Sequence, residues 1–364
     1  MKVLILSASI GSGHMQAAEA IAEALDDKAE VLDFMDKRIS TLNWLLKRLY
    51  LSILGLVPDL YDRIYRLAGV RQFGSITRLI WSTLMYLPFS KLLSKVNPDV
   101  IICTHPFPEA AAALWKFLHP KKKNKFKLAA VLTDYSLHEI WIYDGVDVYF
   151  VATEEMKQEL EDHGASNVYA TGIPIRRSFR EERTENNALY MPHTSSILIM
   201  GGGLGLGAFE DTIHTLEDVD FKLKITVITG KNTSLQNKLS SMKTKHELTV
   251  LGFVDNVCEL MQQADILISK PGALTLSEAF AVGLPILLLP PIPGPETLNA
   301  EYAVKGGAAL SLQSSAEISE IISILNDVER LKAMKASTKA LAKAKAAVEI
   351  AENILSGGDK QWKN

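Results

Sequence analysis

Short apolar runs, separated by stretches of helical spacing, recur along the whole chain, and this alternation restricts the fold more than any other feature. In the first half the runs are Lys2–Ser7, Glu30–Asp33, Val100–Cys103, Ala129–Leu132 and Val148–Val151. In the second half they are Ser196–Met200, Lys224–Ile228, Leu248–Leu251, Ile266–Ile268 and Pro285–Leu289. Strands that are apolar on both sides, with helices between them, belong to parallel sheets covered on both faces. Ala17, Ala18, Ile21 and Leu25 stand at helical spacing and predict a helix over 14–26. The sequence therefore predicts an α/β protein.

At 364 residues the chain has room for about two such domains. The stretch 173–195 is polar, interrupted by Pro174 and Pro192, and carries Arg176, Arg177, Arg180, Glu181, Glu182 and Arg183. It reads as a linker. The expected division is 1–172, a linker at 173–195, a second domain at 196–345, and a C-terminal helix and tail at 346–364. Two doubly wound domains joined in this way would face each other across a cleft, with ligands at the carboxyl ends of the strands. The two cysteines, Cys103 and Cys258, make neither a disulfide framework nor a zinc site.

The segment 37–95 is set apart by its charge. It holds ten Lys or Arg against Asp59 and Asp62, within a chain of net charge −3. Trp44, Tyr50, Tyr61, Tyr65, Phe73, Trp81, Tyr86 and Phe89 are interleaved with the cations. Cations mixed with aromatic and aliphatic residues at helical spacing suit a helix lying on an anionic membrane surface. The plainer reading is a basic helical insertion packed on the sheet. The leucine and isoleucine content argues against nucleic acid. The most apolar stretch, Leu49–Val57, is far short of the roughly 20 residues a span requires. Val3–Leu6 is too short for a signal segment. A cytoplasmic protein resting on a membrane is expected.

Several strand ends carry chemistry. Gly11-Ser12-Gly13-His14 turns from the first strand into a helix, where glycine allows close backbone approach and free amides attract an anion. A dinucleotide fingerprint would use Asp33 on the ribose, but its third glycine position is Gln16. Met200 to Gly207 contains five glycines and suits a phosphate. Thr229-Gly230-Lys231-Asn232 is not a P-loop, because the first glycine that motif needs falls at Ile225. In Lys270-Pro271-Gly272-Ala273-Leu274-Thr275-Leu276-Ser277-Glu278 a strand ends at a turn and a helix opens, with its amides free for a diphosphate and Glu278 one turn in. Glu278 also reads as a capping carboxylate. Asp218-Val219-Asp220 reads as surface charge, and no metal-ligand cluster is evident.

These motifs, together with Thr133-Asp134-Tyr135, His138, Trp141, Thr171 to Ile175, Gly252-Phe253-Val254 and Pro293-Gly294-Pro295-Glu296 with Asn299-Ala300, occur in an order that resembles the monogalactosyldiacylglycerol synthase and processive diacylglycerol glucosyltransferase family, glycosyltransferase family 28. The resemblance spans about residues 1–350. It implies a GT-B fold of two Rossmann-like domains and inverting transfer of a hexose, glucose foremost, from a UDP-sugar to diacylglycerol, without metal or cofactor. It places the enzyme peripherally on the inner face of the cell membrane. In the second domain it assigns Gly202, Gly203, Gly272, Ala273, Leu274 and Thr275 to the phosphates; Lys231, read from its place at a strand end, faces the donor or is a solvated lysine. Phe253 and Val254 go to the uracil, Glu278 to the ribose, and Glu296 and Asn299 to the sugar. In the first domain it assigns Gly11, Gly13, His138 and Trp141 to the acceptor, with His14 as general base and Asp134 as the rival base or orienting partner. The family has glutamine where this chain has Pro295, which leaves glucose, galactose and N-acetylglucosamine open.

A histidine that titrates near pH 6.5 can take the proton of an attacking hydroxyl. Fixed amides can hold the charge growing on departing UDP. Two other readings keep the fold. One is a UDP-sugar epimerase or a transferase to a soluble acceptor. The other is a regulator that binds nucleotide sugars or lipid.

Overall fold

The structure is a computed structural model, and it describes residues 1–9, 13–26, 28–35, 71–180, 196–203, 205, 208–291, 294–312, 324 and 327–357, the side chains of 71–74 excepted. Gly11, residues 37–70 of the basic segment and 181–195 of the linker lie outside these. The chain divides into two compact units. One comprises Met1–Arg177, Pro293–Pro295 and Lys345–Asn364; the other comprises Ser178–Ile292 and Glu296–Ala344.

The first unit is a six-stranded parallel sheet of β1 (Val3–Ser7), β2 (Ala29–Asp33), β3 (Val100–Cys103), β4 (Lys127–Val131), β5 (Val148–Phe150) and β6 (Val168–Tyr169), in the order β2-β1-β3-β4-β5-β6. β1 is buried along its whole length, and its alternate residues feed two cores. Leu4 and Leu6 pack with Met85, Phe89, Leu92 and Leu93 of α2 (Arg71–Val96) and Ala111–Ala113 and Trp115 of α3 (Pro106–Leu118). Val3 and Ile5 pack with Ala18 and Ile21 of α1 (Gly13–Ala24). A short α4 (Glu154–Asp162) joins β5 to β6.

The second unit has β7 (Ser196–Met200), β8 (Lys224–Ile228), β9 (Glu247–Leu251), β10 (Ile266–Ser269), β11 (Ile286–Leu288) and β12 (Ala309–Ser311), in the order β12-β11-β10-β7-β8-β9. Read from β9 this is the order 3-2-1-4-5-6 of dinucleotide-binding folds. Its helices are α5 (Phe209–Leu216), α6 (Thr233–Ser240), α7 (Val257–Gln263), α8 (Ala273–Val282), α9 (Pro295–Lys305) and α10 (Val328–Leu341). The apolar faces of α5, α6 and α10 meet around Ile197, Ile199, Ile225, Val227, Ile266 and Ile268.

The expected strands are present, with β6 and β12 added at the far edges. The last helix, α11 (Ala346–Gly357), does not stand apart as a tail. It packs on α1, and Ile350, Ala351 and Ile354 complete the core beneath Val3 and Ile5. Each sheet reverses its strand order once, between β1 and β3 and between β7 and β10. Ligands bind such sheets at that point, outside the carboxyl ends.

Candidate active site

In the first unit, the loops after β1, β3 and β4 converge on His14, near the start of α1. Its Nδ1 lies 2.9 Å from the Thr104 carbonyl oxygen and 2.7 Å from Thr133 Oγ1. Thr104 Oγ1 in turn donates to the His14 carbonyl at 3.0 Å. A carbonyl can only accept, so the neutral ring carries its proton on Nδ1 and its lone pair on Nε2. Burial pulls the imidazole below its ordinary titration range, an effect opposed by the Asp134 carboxylate and the Thr104 carbonyl. Near neutrality the ring is therefore an uncharged base with an anion nearby.

His105 was not anticipated from the sequence. It caps α3, its Nδ1 accepts from the Phe107 amide at 3.2 Å, and its ring meets that of His14 edge-on at 4.7 Å. Burial and the neighbouring His14 hold its titration well below the ordinary histidine range. The readable signal was Thr104-His105-Pro106 after a strand, with proline at the first helical position, where its missing N–H does no harm.

His138 and Trp141 lie on one loop and are both buried. His138 Nδ1 accepts from the Ile140 amide at 3.2 Å and caps a short 3-10 turn. Arg78 of α2 fastens this loop, donating to Glu139 Oε2 at 3.1 Å and to the Ile142 carbonyl at 2.6 Å. Gly13 opens α1 beside His14.

In the second unit, loops at the carboxyl ends of β7 to β11 carry the remaining candidates. The turns after β7 and β8 interlock: Gly205 donates to the Gly202 carbonyl at 3.0 Å, and Lys231 donates to that of Gly203 at 3.1 Å. A Cβ on Gly205, whose φ is +60°, would come within 2.1 Å of the Thr229 carbonyl oxygen. Loop packing therefore demands that glycine. Gly272 differs: at φ −70° it caps α8, and a Cβ there would meet only Thr275 Oγ1 at 3.8 Å. No side chain caps α8, so the amides at Ala273 and Leu274 point outward from a helix start. One turn in, Glu278 is buried.

Lys270, at the end of β10, forms a close ion pair with Glu296 of α9, and its Cε lies 3.5 Å from where a Gly202 Cβ would stand. The sequence placed Lys270 and Glu296 in separate motifs and gave no sign that they pair. Asn299 is buried one turn further along α9, and Pro295 occupies the first position of that helix. Phe253 is exposed after β9 with the Lys231 ammonium 5.6 Å from its ring centroid, and Val254 beside it is half-buried. Asp218 and Asp220 are exposed around a buried Val219. Among the described residues no three His, Cys, Asp or Glu converge as a ligand set.

The family model of monogalactosyldiacylglycerol (MGDG) synthase matches residues 14–175, and that of the glycosyltransferase family 28 C-terminal domain matches 196–354. The processive diacylglycerol beta-glucosyltransferase of Bacillus pumilus is 31% identical, the alignment covering 98% of this chain and 95% of the relative. Among solved structures, Acinetobacter baumannii MurG aligns with a TM-score of 0.64 at 16% identity, covering 98% of this chain and 99% of that one. Anabaena HepE, solved in complex with UDP, aligns at 0.59 and 14%, covering 98% and 100%. The paired parallel sheets are those of the GT-B fold, and the chain belongs to the monogalactosyldiacylglycerol synthase and processive diacylglycerol glucosyltransferase group of glycosyltransferase family 28.

Proposed function

We propose that the protein transfers a hexose, most simply glucose, from a UDP-sugar to diacylglycerol with inversion at the anomeric carbon. One observation carries the chemical reading: His14 is tethered through Nδ1 to a carbonyl, which leaves Nε2 as a neutral base. The acceptor hydroxyl oxygen bonds to the anomeric carbon, its proton passes to Nε2, and the bond to the UDP oxygen breaks with its electron pair on the diphosphate. Asp134 stabilises the imidazolium that forms, as its effect on His14 indicates. Gly13, His138 and Trp141 shape the acceptor side, with Gly11 in the same turn.

The donor belongs to the second unit. The open amides of Ala273 and Leu274, with Gly272 and Thr275 beside them, and the Gly202-Gly203 turn suit the diphosphate, whose growing charge fixed dipoles stabilise without reorganising. Phe253, with Lys231 and Val254, offers a ring for the base to stack on. Glu278 suits the ribose hydroxyls, and Glu296 and Asn299 suit the hexose. With Pro295 locked into a helix start, the hexose must be read by side chains other than the family's glutamine.

The acceptor is a lipid, and α2 offers the lipid-facing surface. Ile76, Leu79, Ile80, Leu84 and Leu87 are all exposed along one side of it. The reading is a peripheral enzyme on an anionic inner membrane face. No helix among the described residues is long and apolar enough to cross a bilayer.

The test is transfer from UDP-[14C]glucose to diacylglycerol vesicles. His14→Ala is expected to lose about 10²–10⁴-fold in turnover, the usual worth of a general base, while UDP still raises the melting temperature. Absence of labelled lipid with every UDP-hexose would overturn the reading. Loss of UDP binding in His14→Ala would remove histidine from the base role.

A further inference from the structure

A row of aromatic rings joins the exposed stripe of α2 to the base. Trp81, on α2 between the exposed Ile80 and Leu84, stacks on Phe107 of α3 with ring centroids 4.0 Å apart and planes 21° apart. Phe107 meets His105 edge-on at 4.6 Å, and His105 meets His14 at 4.7 Å. Leu84 stands one helical turn from Trp81, so its side chain is Trp81's neighbour on the helix surface. Trp81 and Phe107 are only half-buried, whereas His105 behind them is buried. Part of each residue is therefore reachable from outside in a fold that buries Phe34, Phe89, Phe126 and Phe150 completely.

We propose that the Trp81–Phe107 stack is an acyl-chain guide, the subsite against which the methylenes beyond the fourth carbon of one acceptor chain lie as the glycerol hydroxyl reaches His14. It rests on the diacylglycerol reading above and adds the residues that select a long-chain acceptor. The occupant follows from continuity. One end of the row meets side chains that suit a bilayer, the other ends at the base, and a substrate spanning the two is apolar at one end and a hydroxyl at the other. A flat stacked pair gives a methylene chain contact area without a hydrogen-bond requirement, which suits a ligand whose polar atoms lie only at its head. His105, at the inner end, is a positioning residue that walls the His14 ring.

The experiment compares Trp81→Ala, Phe107→Ala and the milder Trp81→Phe on two acceptors, vesicle-borne dioleoylglycerol and water-soluble dibutyrylglycerol. Each buried methylene is worth about fourfold in affinity, so loss of one or two contacts lowers kcat/KM for the long-chain acceptor about tenfold, mainly through KM. The loss on dibutyrylglycerol is expected to stay below about threefold. Flotation with anionic vesicles stays at the level of the unsubstituted protein, and Trp81→Phe retains most of the long-chain preference. Equal losses on both acceptors, or a fall in kcat with KM unchanged, overturn the guide. So does a parallel loss of flotation, which assigns the rings to membrane docking. If the unsubstituted protein glycosylates neither acceptor, the transferase reading itself falls, an outcome separate from failure of the guide alone.

Discussion

His14 shows how much one tether decides. Because the Thr104 carbonyl accepts a hydrogen bond from Nδ1–H, Nε2 is basic, and because burial lowers the titration, the ring is neutral at pH 7. Activity that needs the neutral ring is full at neutral pH and falls only as pH drops through a value below the ordinary 6.5. The acid limb of a kcat/KM profile checks this; a limb centred above 6.5 would contradict it. Glu109 of α3 has the opposite character. Neither of its carboxyl oxygens has a hydrogen-bond partner among the described residues, and burial raises its titration well above 4.5. Between the unfolded and the folded titration values the folded state holds a proton that the unfolded state has released, so this residue costs more stability as pH rises above the unfolded value. Glu109→Leu is expected to stabilise the protein by about 1–3 kcal/mol at pH 7, with the gain shrinking toward pH 4 in urea titrations. Two glycines separate packing from binding. Gly205→Ala drives a Cβ into the Thr229 carbonyl at an unfavourable φ and should cost about 1–3 kcal/mol or more of stability. Gly272→Ala fits its site, so it should leave stability within about 0.5 kcal/mol and weaken UDP binding. Equal thermal shifts for the two variants would refute that contrast.

Among the elements, α2 carries the membrane argument. Its buried side, Met85, Phe89, Leu92 and Leu93, belongs to the core, and its other side holds the exposed leucines and isoleucines. Leu79→Ser with Leu87→Ser removes exposed methylenes alone. The pair should leave the fold intact and lower partitioning onto anionic vesicles about tenfold or more, since 1.4 kcal/mol is one decade and a single leucine is worth about that much; unchanged flotation would end the docking role. At this scale the sequence was readable wherever an element announced itself locally. β1 and β7 are continuous apolar runs, and α8 follows a Pro-Gly break. β6 and β12, with two and three residues, carry no period to detect. The site was legible in the same uneven way. His14, Glu278 and Glu296 lie in local motifs. Lys270 finds Glu296 across 26 positions, and Trp81 finds Phe107 across an intervening strand. Only folding reveals such pairs. Cation–aromatic patterning pointed to 37–95 as a whole; of that stretch, the described part shows which side of α2 is open.

On the scale of the whole molecule, order along the chain and order in space part company. The two sheets follow each other in sequence, yet α11, encoded after the second, completes the first. Ile350 and Ile354 are fully buried beneath Val3 and Ile5. Ending the chain at Ala344 strips both from that core. At about 1.5–3 kcal/mol for each fully buried side chain, the first unit should lose roughly 3–6 kcal/mol. Calorimetry on the shortened chain, with UDP present to hold the second unit by mass action, would show whether the loss falls on the first. A loss confined to the second unit would refute the placement.

The same closure has a bearing on biosynthesis. Domains generally mature in the sequence in which a ribosome delivers them. Here the first sheet must wait with one greasy flank uncovered until residues 346–357 have been made. A message cut short before codon 346 would therefore yield a nascent product defective in its first unit, which is where quality-control proteases would be expected to seize it.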